Sequence, residues 1–145
     1  MMFCFEKLSV EHIPFVYDIR FSVNENLLLP HHIQYLQREQ LISDIEQGGG
    51  WICRNEDKFV GVGFGVFIPD AIIGGLFVKP EYQSMGIGSK LLELVTNWFF
   101  DKDVQKITLT TDAGSKAEYF YNKRGWRHVG LDEFGQIEFV KFRGD

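Results

Sequence analysis

The chain has 145 residues, enough for one domain (residues 1–145) that buries roughly 70% of the surface its unfolded form exposes. Hydrophobic residues make up 45% and charged residues 24%, which predicts an ordinary globular core. A net charge of −5 with no basic stripe argues against a nucleic-acid partner, and no apolar run approaches the ~20 residues of a membrane span.

From the start, FCFEKLS (3–9) reads as a strand and Ser9 as the cap of a helix carrying Ile13, Val16, Ile19 and Val23 at helical spacing. Pro30 breaks this element. Ile33, Leu36, Leu41, Ile42 and Ile45 predict a second helix, ended by the glycines at 48–50. Strands follow at 51–56, 58–68 and 71–78, then a helix over 86–100 marked by Ile87, Leu91, Leu94, Val95, Trp98 and Phe99. A strand at 106–111, a short helix at 115–124 and a strand pair at 126–131 and 136–142 complete the chain.

The strand at 58–68 places Phe59, Gly61, Gly63, Gly65 and Phe67 on one face. Interior strand glycines mark close approach of another element or of a ligand, and tight helix-on-sheet packing is the favoured reading here. Cys4 and Cys53 lie in apolar strands without metal-ligand spacing. They read as buried reduced thiols of a cytoplasmic protein, and MMFCFEKLSV lacks the features of a signal peptide.

The stretch VKPEYQSMGIGSKLL (78–92) is a strand–turn–helix junction with Gly86 and Gly88 one residue apart. The first amides of a helix are unpaired donors at the positive end of its dipole, so a phosphate can bind there without a lysine. Glycine removes the Cβ that would hold such a ligand off the backbone. Alone, Gly-x-Gly is a weak signal that also fits a plain strand–helix turn. A dinucleotide fingerprint needs a third glycine where Leu91 stands, and a P-loop needs Gly-Lys-Ser/Thr, which is absent.

LFVKPEYQSMGIGSKLL resembles the acyl-CoA-binding motif of the GNAT superfamily of N-acetyltransferases through Leu76, Val78, Pro80, Gln83, Gly86, Gly88 and Leu91. AEYFYNKRGW resembles a second motif of that family through Ala117, Tyr121, Gly125 and Trp126, and IRFSVNENLLLP and the GW at 50–51 resemble one subgroup of small bacterial members. The resemblance implies an α/β (α+β) GNAT fold: a mixed, mostly antiparallel twisted sheet of about seven strands flanked by about four helices. It implies acetyl-CoA as co-substrate, no metal, and a small-molecule or peptide amine as acceptor, with no nucleic-acid or membrane partner and room for a homodimer. The cofactor site would comprise Leu76, Phe77, Val78, Gln83, Ser84, Met85, Gly86, Ile87, Gly88, Ser89 and Tyr121. Pantetheine would pair with the backbone at 76–78, and pyrophosphate would sit on the amides of Ser84–Ser89.

Tyr121 stands at the family's position for a donor to the departing thiolate. The strand carboxylate that many relatives carry is replaced by Thr108, Thr110 and Thr111, and Gly114 stands where an asparagine is common. Of the remaining carboxylates, Glu25, Asp70 and Asp112, Glu25 lies where GNAT folds wall the acceptor site and is the expected base or acceptor-binding group. Without a strand base, a non-catalytic acyl-CoA-binding sensor is the competing expectation.

Overall fold

The computed structural model describes residues 2–145. Strand β1 (Phe3–Lys7) leads through a 3-10 turn at Val10–His12 into α1 (Ile13–Ser22). A 3-10 segment at Pro30–Leu36 precedes α2 (Arg38–Glu46), and β2 (Gly50–Asn55), β3 (Lys58–Phe67) and β4 (Ala71–Val78) form a meander. Helix α3 (Ile87–Phe100), β5 (Lys106–Thr111), α4 (Lys116–Lys123), β6 (Arg127–Leu131) and β7 (Ile137–Phe142) follow. The strands make one sheet in the order β1-β2-β3-β4-β5-β7-β6, antiparallel throughout except where β4 meets β5.

Each face of the sheet is covered by helices whose apolar residues recur at helical spacing. Ile13, Val16 and Ile19 of α1 and Leu41 and Ile45 of α2 pack with Ile52, Val62, Phe64 and Phe77 on one face. On the other, α3 buries Ile87 and Leu91 beside Val60 and Cys53, and Leu92, Val95 and Phe99 beside Ile107, Leu109 and Phe139.

The β3 glycines are there for α3. A Cβ on Gly61 would come within 2.9 Å of Ile87, one on Gly63 within 3.2 Å of Leu91, and one on Gly65 within 2.6 Å of the Phe99 ring and 2.8 Å of Val95. Helix-on-sheet packing, not a ligand, explains them. Phe59 does not share their face: the register shifts between Cys53 and Arg54, opposite Phe59–Gly61, and the bulge turns Phe59 toward Phe15 of α1.

Two further expectations are corrected. The helix expected across Ile33–Ile45 is two pieces, because Gln37 is extended (φ −62, ψ 141), and Ile33 is exposed. Cys4 is exposed while Cys53 is buried; both are free thiols.

The sheet opens at one place. Strands β4 and β5 share a single register pair, Ile72 with Thr108. Beyond it β4 follows β3 to Val78 and β5 follows β7 to Thr111, so the parallel strands part toward their C-terminal ends. Lys79 N–H donates to Val60 O (2.9 Å), and backbone groups alternate sides along a strand, so those of Phe77 turn to β3 and those of Leu76 and Val78 face the opening.

Gly65→Ala should destabilise the protein by about 1–3 kcal/mol, the usual cost of overpacking a filled interface. Urea unfolding of the variant measures it, and unchanged stability would contradict the packing account.

Candidate active site

A cavity of about 860 Å³ occupies the opening and reaches both faces of the sheet. Gly88, Ser89, Ala117, Tyr121 and Arg124 line it from the α3–α4 side, and Arg20, Leu36, Asp44, Phe64 and Phe77 from the α1–α2 side. At its mouth the chain turns into α3 with Ser84 at φ 64 and Gly86 at φ 86, a backbone that glycine adopts freely. Gly86 O accepts from Lys90 N–H, closing the first helical turn. None of the six amides from Ser84 to Ser89 donates to a described residue, so this turn presents a ready anion cradle. Unlike the β3 glycines, Gly88 is not required by packing: a Cβ there would lie an ordinary 3.5 Å from Phe120.

The cradle is not main chain alone. The Arg124 guanidinium stacks 3.7 Å over the Phe120 ring, donates to Phe120 O (3.1 Å), and donates through Nε (3.1 Å) and Nη2 to Ser89 Oγ. It adds a full positive charge beside the first turn of α3. Its position before Gly125 in NKRGW was the available signal for it, and the motif reading passed over it.

The other expected cofactor residues divide. Leu76 and Val78 offer backbone groups to the opening, but Gln83 Nε2 already donates to Val78 O (3.0 Å). Phe77 lines the cavity with its ring on the α1 face, and its backbone groups turn to β3, so they are not part of the pairing edge. Ile87 is core and Met85 is largely exposed. Neither side chain lines the cavity, and only their amides belong to the cradle.

Tyr121 is 5% exposed, seated edge-on to Trp126 and tilted against Phe139. It lines the cavity. Burial raises its hydroxyl well above the ordinary phenol range, with Arg124 opposing, so it holds its proton at neutral pH.

Glu25 is half-buried and tied to α4. Both carboxylate oxygens accept from Lys116 N–H (3.3 Å), capping α4 at its positive end, and the residue lines the cavity. Asn26 (φ 54) secures this loop, its Oδ1 accepting from Thr111 Oγ1 (2.9 Å) and Asp112 N–H (2.7 Å). Asp112 accepts from Gln136 Nε2 (3.0 Å) and lines a smaller neighbouring cavity. Asp70 is exposed and does not line the main cavity. Asp44 does line it, 4% exposed. Burial raises its carboxyl pKa, and a hydrogen bond from Gln40 (2.8 Å) acts against the shift. Nothing in the sequence around Asp44 distinguishes it from a surface helix residue. Among the described residues no cluster of three or more His, Cys, Asp or Glu could hold a metal ion.

The model of the acetyltransferase (GNAT) family matches residues 14–126. The chain belongs to the GNAT family. Solved GNAT structures share its fold. The PaiA N-acetyltransferase of Thermoplasma acidophilum, in complex with coenzyme A, is 19% identical over 98% of this chain and 99% of its own, with a TM-score of 0.82. A GNAT acetyltransferase of Staphylococcus aureus Mu50 is 18% identical over 97% and 99%, with a TM-score of 0.80. The ribosomal-protein-S18-alanine N-acetyltransferase of Escherichia coli is 18% identical over 96% and 91%, with a TM-score of 0.70. Comparison with curated protein sequences gives no match. No helix of this GNAT chain, among the described residues, is long and apolar enough to cross a membrane.

Asn26→Ala removes the acceptor of two hydrogen bonds that tie the Glu25 loop to the end of β5. Stability should fall by about 1–3 kcal/mol, the cost of unsatisfied buried donors. Denaturant unfolding measures the change, and a variant as stable as the parent would show that the loop is held otherwise.

Proposed function

We propose that this GNAT protein transfers an acetyl group from acetyl-CoA to a primary amine by direct attack. The observation that carries the reading is the row of six unpartnered amides at the mouth of a cavity that runs through the sheet. The pyrophosphate of CoA sits on Ser84–Ser89 with Arg124 beside it. The pantetheine arm runs along β4 and pairs with the outward backbone groups of Leu76 and the N–H of Val78 as an added strand. That course brings the thioester to the centre of the sheet, between Tyr121 on one face and Phe77 on the other.

The chemistry sets two demands. A primary amine has a pKa near 10.4, so freeing its lone pair at neutral pH costs about 4.6 kcal/mol without help. Glu25, a carboxylate of the cavity wall, takes up the ammonium proton through water. The amine nitrogen attacks the thioester carbonyl carbon, the N–C bond forms, and the C–S bond breaks with its electron pair on sulfur. The leaving thiolate takes the Tyr121 proton, and the phenolate regains one as the new amide sheds its second. The net products are the acetamide, free CoA and one proton. The sensor reading offers no role for a buried, protonated Tyr121 that lines the cavity. Both thiols are unpaired, which suits a cytoplasmic setting.

Gly88→Glu places a negative charge at the cradle, at a position where a Cβ meets only ordinary contacts. Calorimetric titration should show CoA binding abolished, while unfolding should show equal or slightly higher stability, by about 0.5–1 kcal/mol for replacing a helical glycine. Equal CoA affinity in parent and variant would refute the cradle assignment.

Tyr121→Phe keeps the ring and removes the proton. In a thiol-release assay, kcat and kcat/KM should fall together by about 10²-fold, the low end for a positioned acid because a thiolate is already a fair leaving group. The CoA dissociation constant should move little. Unchanged turnover per folded molecule would make Tyr121 structural.

A further inference from the structure

Arg20 is a buried charged residue of the cavity wall that takes no part in the transfer chemistry. It projects from α1, is 8% exposed, lines the cavity, and lies with its guanidinium 4.3 Å over the Phe77 ring. It makes no hydrogen bond or ion pair with a described residue. The nearby acidic carboxylate is Asp112, whose field favours the charged guanidinium only against the larger effect of burial, and Asp112 is itself bonded to Gln136 Nε2. A guanidinium carries five donors and keeps its proton in proteins. Buried charges are ordinarily paired, because the lost hydration has to be replaced. Arg20 therefore presents, inside the cavity, a cation with its partner missing.

The neighbouring groups suit the same partner. His32 lies close enough to Arg20 for the two to repel; burial first, then His31 and Arg20, depress its pKa, while the Gln136 side chain, as a hydrogen-bonding neighbour, and the field of Asp112 act the other way, and the net shift leaves it neutral at neutral pH. Its Nδ1 accepts from Leu29 N–H (3.1 Å), which leaves the proton on Nε2 as a further donor. Gln136 is 4% exposed and also lines the cavity. A carboxylate only accepts, so Asp112 fixes the Gln136 amide with Nε2 toward itself, and the buried Oε1, on the His32 side, makes no hydrogen bond of ordinary geometry. One wall thus combines an unpaired guanidinium, a neutral imidazole N–H and a buried amide oxygen. Arg20 lies over the α1 face of β4, whereas α3 and its amide cradle pack on the opposite face, so the phosphates of CoA are not its partner.

We infer that the acceptor carries a carboxylate beside its amine, a free amino acid or a similarly small amino acid-like molecule, and that Arg20 binds that carboxylate on the Phe77 face while Gln136 Oε1 accepts from the amine. This rests on the acetyltransferase reading and narrows its acceptor. Polyamines, protein lysines and peptide N-termini lack a carboxylate at that distance.

The test uses the full chain saturated with CoA or supplied with acetyl-CoA, the twenty protein amino acids, their carboxamides, and the Arg20→Gln variant. Calorimetry on the CoA-saturated protein should show at least one amino acid binding and its carboxamide binding about 10²-fold more weakly, as expected when one partner of a buried charge pair is removed. Thiol release should show the same ratio in kcat/KM. Arg20→Gln should erase the acid-over-amide preference and leave the CoA dissociation constant unchanged, which also certifies that the variant is folded. If Arg20→Gln fails to bind CoA, the acid-over-amide ratio of the parent decides alone. Binding of acids without any turnover would overturn the transferase reading and leave the carboxylate site standing. No binding by any acid, equal binding of acids and amides, or an Arg20-dependent preference for succinyl-CoA over acetyl-CoA would overturn the inference.

Discussion

Two neighbouring parallel strands that part after a single residue pair organise this molecule. Strands β4 and β5 meet at Ile72 and Thr108 and then diverge, leaving the outward backbone groups of Leu76 and Val78 without a strand partner in the middle of a seven-stranded sheet. Unpaired backbone groups are costly inside a protein and tolerable only where water or a ligand meets them. The opening is therefore a place where water or a ligand must meet the chain, and the strands on either side hold it apart. On one side β4 is bound along its length by β3, and on the other β5 is bound along its length by β7.

Three devices keep the two halves in register across that gap. Helix α3 lies low on β3 because Gly61, Gly63 and Gly65 remove the side chains that would lift it, and this fixes where its first amides point. Asn26 bonds the loop after α1 to Thr111 and Asp112 at the end of β5, so the α1 side follows the far half of the sheet. Glu25 caps α4, which carries Tyr121, and so links the same loop to the third wall of the cavity. Electrostatics then divide the cavity by face: unpartnered amide donors at the start of α3, and a buried guanidinium on the α1 face.

The parts of the fold legible in the sequence were those set by local pattern. The α3 turn was readable because glycine spacing, a preceding apolar strand and a following helical period all lie within a short stretch, and the bounds of β4 and β5 were met. The helix over 33–45 was not readable as two pieces. Its apolar spacing runs on through Gln37, and only the tertiary position of the Pro30–Leu36 segment breaks it. Phe59 was assigned to the wrong face because alternation fails at a bulge that depends on the partner strand. Of the residues that line the cavity, Gly86, Gly88, Ser89 and Tyr121 are singled out by the sequence motifs, whereas Arg20, Asp44 and Gln136 are not. Their significance is burial beside a cavity, which arises only when residues far apart in the chain converge. Glu25 lines the cavity, and its bond to Lys116 joins residues 91 positions apart, which no local pattern announces.

The central claim is that the open edge of β4 and the unpaired start of α3 bind CoA together. Backbone amide chemical shifts of the isotope-labelled protein, followed during titration with CoA, test it residue by residue. The account predicts the largest, saturable shifts at the amides of Ser84–Ser89 and at Leu76 and Val78, with the β1–β2 edge unmoved. No saturable shifts, or shifts concentrated away from these residues, would contradict it.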